Sequence, residues 1–187
     1  MQATKFQVKL YTRAGEIELE KLIPVFHEWI REKKISDELL IDVADYAHVP
    51  QGPGIVLIGH QSDYYLDVAD NRPGLLYSRK RGFEGDFQAG VDDAFRRALL
   101  ACKLLEEESS LGLEFATDEV LFRVQDRLAA PNADATYDAY KPALAQAATA
   151  FFKSTPSFEW VGDESTPFAV RISTGANGSV ADALAGH

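Results

Sequence analysis

Apolar and polar positions alternate from Lys5 to Thr12, with Phe6, Val8 and Leu10 set against Gln7, Lys9 and Tyr11. This period of two predicts a half-buried strand. Ala14-Gly15 reads as a turn. Leu19, Leu22, Ile23, Phe26 and Ile30 then recur at helical spacing. Pro24 fits such a helix only in its first turn, so the helix proper is expected from about Ile23 to Lys34, with Arg31, Lys33 and Lys34 beside the negative end of its dipole. Three strand-like runs follow, LLIDVADYAHV, GIVLIGHQSDYYLDV and GLLYSRK, joined by VPQGPG and ADNRPG. Short connectors rich in Gly and Pro predict an antiparallel meander of three strands. A tight second turn would set Asp63 opposite Arg79 as an ion pair and Tyr65 opposite Tyr77.

The clearest helical pattern spans residues 86–108, where Phe87, Val91, Phe95, Ala98, Cys102 and Leu105 form one stripe. Asp86, Asp92 and Asp93 lie toward its positive end. Glu106, Glu107 and Glu108 have the wrong sign for the other end, which predicts fraying or a basic neighbour. Val120 to Leu128 reads as a strand, and Thr136 as the cap of a short helical turn before a main helix from Pro142 to about Lys153. Phe158 to Val161 and Phe168 to Ile172 predict a closing hairpin around GDESTP. The pattern as a whole predicts a single-domain α+β layered sandwich over residues 1–174. Its sheet is largely antiparallel with a central three-strand meander, and about three helices cover one face. The other face is left to be solvated, to bind a ligand or to dimerise. Residues 175–187, small and polar, are expected to form a flexible tail.

Composition narrows the function classes. With 187 residues, 46% of them hydrophobic, the chain can bury a core without disulfide or metal support. The net charge of −10 opposes nucleic-acid and anionic-membrane partners and suits a basic protein partner or a cation. A single cysteine, Cys102, and an N-terminus without an apolar signal core point to a reducing, cytoplasmic location. No apolar run approaches the ~20 residues of a membrane span.

The meander carries the candidate chemistry, because ionisable residues inside apolar runs are paired, solvated or functional. By strand parity Asp42 and His48 share a face, and Asp45 points the other way. Pairing of the first two runs would bring His60 near Val43 or Ala44, joining it to Asp42 or Asp45 according to register. Asp42, Asp45 and His60 are therefore the catalytic candidates, and Asp42, His48 and His60 are weak metal candidates that lack HxH, HExxH or CxxC spacing. The alternative is structural, with the two acids held by Arg79, Lys80 or backbone amides. His27 reads as a packed boundary residue, and Cys102 as a core residue rather than a nucleophile. The Gly52-Pro53-Gly54 turn and the cluster Arg79-Lys80-Arg81-Gly82 offer a phosphate site or, more plainly, a hairpin turn and charge balance. Tyr46, Tyr64, Tyr65 and Tyr77 suit a pocket lining or a self-association face. No cofactor motif is identifiable.

The phrases LLIDVADYAHVPQGPG, VLIGHQSDYYLD, GLLYSRK and RVQDRLAAPN resemble those of a group of uncharacterised bacterial proteins of similar length, over most of residues 20–175. The resemblance implies a bacterial cytosolic origin and carries over no functional residue. The leading expectation is a non-enzymatic small-molecule-binding, regulatory or assembly component that self-associates through a sheet or aromatic face. The alternative is an enzyme using an Asp/His acid–base or metal site in residues 39–81.

Overall fold

The computed structural model describes residues 3–13 and 17–187, so the expected Ala14-Gly15 turn lies outside the described residues. Among these residues eight strands form one antiparallel sheet: β1 (Phe6–Thr12), β2 (Leu40–Tyr46), β3 (Gly54–Gly59), β4 (Ser62–Asp67), β5 (Gly74–Arg79), β6 (Phe115–Val124), β7 (Ser157–Val161) and β8 (Ala169–Ser173). Their order across the sheet is β2-β3-β4-β5-β1-β6-β8-β7. Four α-helices accompany them among the described residues: α1 (Leu22–Glu32), α2 (Phe87–Glu107), α3 (Asp134–Phe152) and α4 (Val180–Leu184). This is the α+β layered sandwich that the pattern predicts. No helix among the described residues is long and apolar enough to cross a membrane.

Period-two alternation decides which face is covered. Phe6, Val8 and Leu10 of β1 align across the sheet with Tyr77 and Leu75 of β5 and with Val124, Phe122 and Val120 of β6. All are buried in one core together with residues from all four helices. Helix α2 lies over β1 and β5 at the centre, and α3 and α4 pack on α2. Helix α1 covers β2, with Pro24 in its first turn as expected. The α2 stripe is fully buried, Cys102 included, and Asp86 caps the helix by accepting the Ala89 N–H at 2.8 Å. The glutamates at its far end have local partners in place of a dipole contact. Glu106 accepts the Phe115 N–H at 2.8 Å, Glu107 lies 3.7 Å from Lys103, and Glu108 accepts the Trp29 indole N–H at 3.3 Å.

The opposite face carries Gln7, Lys9 and Tyr11 on β1, and no helix among the described residues covers it. Tyr11, Leu121 and Ala169 form a small apolar cluster there. Lys9 and Asp67 form an ion pair at 2.6 Å with both side chains under a tenth exposed. Burial lowers the Lys9 pKa, against the pull of Asp67.

Four expectations are corrected. The run GIVLIGHQSDYYLDV is a hairpin of β3 and β4, not one strand, so the block holds four strands. The turn at His60-Gln61 has no Asn-Gly or Asp-Gly signal. Its signal is Gly59, where a Cβ would come within 2.5 Å of the Ser62 carbonyl oxygen. Helix α3 runs unbroken through Pro142, because Tyr140, Leu144, Ala147, Ala148 and Phe151 bury its inner face on both sides of the proline. Finally, the tail contains α4, held by a Ser179–Asp182 capping box, with Val180 and Ala183 buried against the rest of the molecule. The fifth predicted strand also begins earlier, at Phe115, and ends at Val124, because the Asp126 carboxylate caps the N–H groups of Leu128 and Ala129 in a turn.

Candidate functional site

The β3–β4 turn, the loop after β5 and the first half of α2 meet at one end of the sheet. Between them lies a cavity of about 470 Å³, lined by His60 and Gln61 of the turn, Arg79 and the Arg81–Glu84 loop, and Asp93 and Arg97 of α2. Strand pairing explains why these residues converge. Ser62 lies opposite Arg79, so the turn His60-Gln61 stands beside the exit of β5. The N–H groups of Lys80 and Arg81 both donate to the Gln61 carbonyl, and Arg81 Nε donates to the His60 carbonyl at 3.0 Å. Helix α2 crosses β5 and presents Asp93 and Arg97, one turn apart, on the side that faces Arg79.

Asp93 is the hub. Arg79 Nη2 donates to its Oδ2; Arg97 Nε reaches Oδ1 at 3.1 Å and Oδ2 at 2.9 Å; Arg96 Nη2 donates to Oδ1 at 3.0 Å. Arg96 and Arg97 also reach Asp37 at 3.2 and 2.9 Å. Burial alone would raise the Asp93 pKa, but Arg97 and Arg79, with the bonds from Arg96 and Arg79, hold it below the usual carboxylate range. Burial works against the Arg97 charge too, and Asp93, Tyr77, Tyr64 and Asp37 outweigh it to raise the guanidinium pKa.

Arg79 and Arg97 are both over nine-tenths buried, yet each keeps one guanidinium nitrogen, Arg79 Nε and Arg97 Nη1, without a hydrogen bond. Glu38 Oε2 and the Tyr64 hydroxyl, on elements next to the same arginines, are buried and unbonded as well. Arg97 faces the Tyr64 hydroxyl, and its charge and hydrogen-bonding pull lower the Tyr64 pKa, but burial dominates and keeps that phenol neutral. Four of the six such atoms among the described residues thus gather at this end of the sheet, although unpaired buried polar atoms are ordinarily scarce. Arg81, exposed at the rim, adds a fourth guanidinium to Arg79, Arg96 and Arg97. The lining itself sets Arg79, Arg81 and Arg97 against Asp93 and Glu84, so it carries one net positive charge in a chain of net charge −10. Fixed, water-poor guanidinium groups suit a carboxylate or phosphate oxygen.

The residues expected to act together are dispersed. His60 lies on the rim, opposite Leu39 rather than Val43 or Ala44, with its N–H donating to the Leu39 carbonyl at 2.8 Å. Asp42 pairs with Ile58 and Asp45 with Ile55, which places the two acids on opposite faces of β2. Both are exposed and bond backbone amides, Asp42 to the Val43 N–H at 2.8 Å and Asp45 to the Ala47 N–H at 2.9 Å. His48 sits in the turn after β2, not on the strand. Among the described residues no three His, Cys, Asp or Glu side chains are grouped to hold a metal ion.

The expected Asp63–Arg79 ion pair is replaced by two others. Asp63 lies opposite Ser78 and pairs with Lys80 at 2.7 Å, leaving Arg79 to turn to the helix side and Asp93. The aromatic register shifts likewise: Tyr64 meets Tyr77 in the core at 5.5 Å between ring centroids, and Tyr65 lies opposite Leu76 on the uncovered face. Burial and the Asp63 charge push the Tyr65 phenol up to about 12. His27 is exposed on α1 rather than packed at the core boundary. Cys102 is fully buried, and burial pushes its thiol up, away from thiolate chemistry.

Part of the cleft was legible in the sequence as the Arg79–Gly82 cluster, but Asp93 and Arg97 were not recognised as belonging to it. Their signal was an acid and a base four apart on the helix that also carries the core stripe. No protein-family model matches the chain, and no curated protein matches it.

Proposed function

We propose that the protein is a non-enzymatic small-molecule-binding protein whose ligand carries a carboxylate or phosphate group, held in the cleft at Arg79 and Arg97 with Arg81 and His60 at its mouth. The observation that carries this reading is the pair of buried guanidinium groups, Arg79 and Arg97, held by Asp93 on the wall of a 470 Å³ cavity with Arg81 at its rim. A cavity of this size falls within the range of small-molecule sites, about 300–1,000 Å³. Asp93 neutralises part of the charge and fixes the forks of the arginines, so the anion meets preorganised donors and loses little affinity to side-chain ordering.

The test is thermal unfolding and calorimetry with inorganic phosphate and citrate as probes, at constant ionic strength. Binding to the folded state alone stabilises by about 2.7 kcal/mol at a hundredfold excess over Kd, so a saturable rise in Tm is expected. Arg81→Ala, at an exposed position, should leave the ligand-free Tm unchanged and weaken binding about fivefold, as expected for a rim charge worth about 1 kcal/mol. The reading fails if neither anion gives a saturable shift, or if chloride gives the same one.

A further inference from the structure

Strand β2 ends the sheet, and among the described residues no strand pairs with its outer side. Leu39 is 67% exposed, Ile41 54%, Tyr46 44% and Val49 37%, all on or beside this strand. They are four of the five large apolar side chains exposed among the described residues. The other edge, β7, carries none of them. Edge strands are ordinarily blunted, since a long apolar edge is a template for pairing. Here the charged side chains on the strand are Asp42 and Asp45, which accept the Val43 and Ala47 N–H groups, and neither has a cationic partner among the described residues.

We propose that the free edge of β2 is a strand-addition site for an extended segment of another protein that carries two basic side chains three residues apart among β-branched apolar ones. Charge chooses the occupant. Asp42 and Asp45 are three residues apart and so project to opposite faces of the sheet. An added strand meets both only if its own cations have the same spacing. A second copy of this chain would bring its own Asp42 and Asp45 to the same strip, between two bodies that each carry −10. Like charges across a strand pair are destabilising. The two carboxylates thus guard the edge against self-pairing and leave it open to a basic strand, whose main-chain hydrogen bonds supply affinity and whose side chains supply selectivity.

The experiment titrates the whole chain with a capped octapeptide, Thr-Val-Lys-Ile-Val-Lys-Val-Thr, and with its counterpart holding glutamate in place of lysine. Calorimetry and backbone amide exchange are the readouts. The lysine peptide should bind, protect the β2 amides from exchange, and weaken by roughly fivefold in the double variant Asp42→Asn/Asp45→Asn, as two exposed ion pairs would give. Ile41→Lys, at an exposed position, should abolish binding and leave the Tm unchanged. The proposal is overturned if the lysine peptide does not bind, if the glutamate peptide binds equally well, or if protection falls elsewhere. It is also overturned if sedimentation shows a dimer that Ile41→Lys dissolves, since the edge would then belong to a second copy.

Discussion

Asp93 shows how one carboxylate can organise a cleft. It takes hydrogen bonds from three arginines and is itself 15% exposed at the side chain. Removing one partner of a buried ion-pair network costs about 3–5 kcal/mol, because the remaining charges stay buried without compensation. Asp93→Ala should therefore unfold at clearly lower urea, by about that amount of free energy. The pH dependence has a definite sign. The folded pKa lies below the unfolded value of about 3.9, so the stabilisation is complete above that pH and is lost as pH falls through the folded pKa. Urea titrations of the wild type between about pH 4 and pH 2 should show this loss, and Asp93→Asn should flatten it. Residue chemistry of this kind was half visible in the sequence. Arg79 and Arg81 stood out as basic residues in an acidic chain, but the parity of one turn decided whether Arg79 faced Asp63 or Asp93.

At the scale of elements, propensity and packing compete most openly in α3. Pro142 is the ninth residue of a nineteen-residue helix and is exposed. Local rules place a boundary there, since proline lacks the N–H that would bond the carbonyl four residues back. The helix continues because its apolar residues on both sides of the proline are buried in the core. The unbonded carbonyl belongs to Asp138, which is itself exposed and can be solvated. Pro142→Ala should restore the missing bond and stabilise the protein. Proline costs about 3 kcal/mol relative to alanine in a helix interior. Against this, about 0.4–1 kcal/mol is lost because alanine leaves the unfolded chain more freedom. A net gain of roughly 2 kcal/mol is expected in urea unfolding. The hairpin of β3 and β4 is the converse case. There the apolar pattern ran on through His60 and Gln61, and only the close approach of the Ser62 carbonyl to Gly59 marked the break.

The whole molecule is held by one core that every helix joins, and α4 belongs to it despite the polar sequence around it. Val180 is fully buried, and the His187 ring packs tilted against that of Phe151, with 4.1 Å between ring centroids. Deleting residues 176–187 should uncover Phe151 and Phe152 and destabilise the protein by at least about 2 kcal/mol, given the 1.5–3 kcal/mol attached to burying a valine-sized side chain. Equilibrium urea unfolding checks this, and an unchanged midpoint would mean that α4 merely rests on the surface. The same global view sets the two proposed surfaces apart. The cationic cleft lies where strand ends meet α2, and the acidic apolar edge runs along β2. By itself the sequence determined the α+β class, the period of nearly every element and the burial of one sheet face, because hydrophobic periodicity is local and survives any register. Tertiary structure alone decided which charges meet. Cross-strand pairing is a long-range property with a period of two: the β2–β3 register sets Gly59 against Leu40 and carries His60 past Asp42 and Asp45, and a one-residue difference in the β4–β5 register sets Asp63 against Ser78 and leaves Arg79 to Asp93.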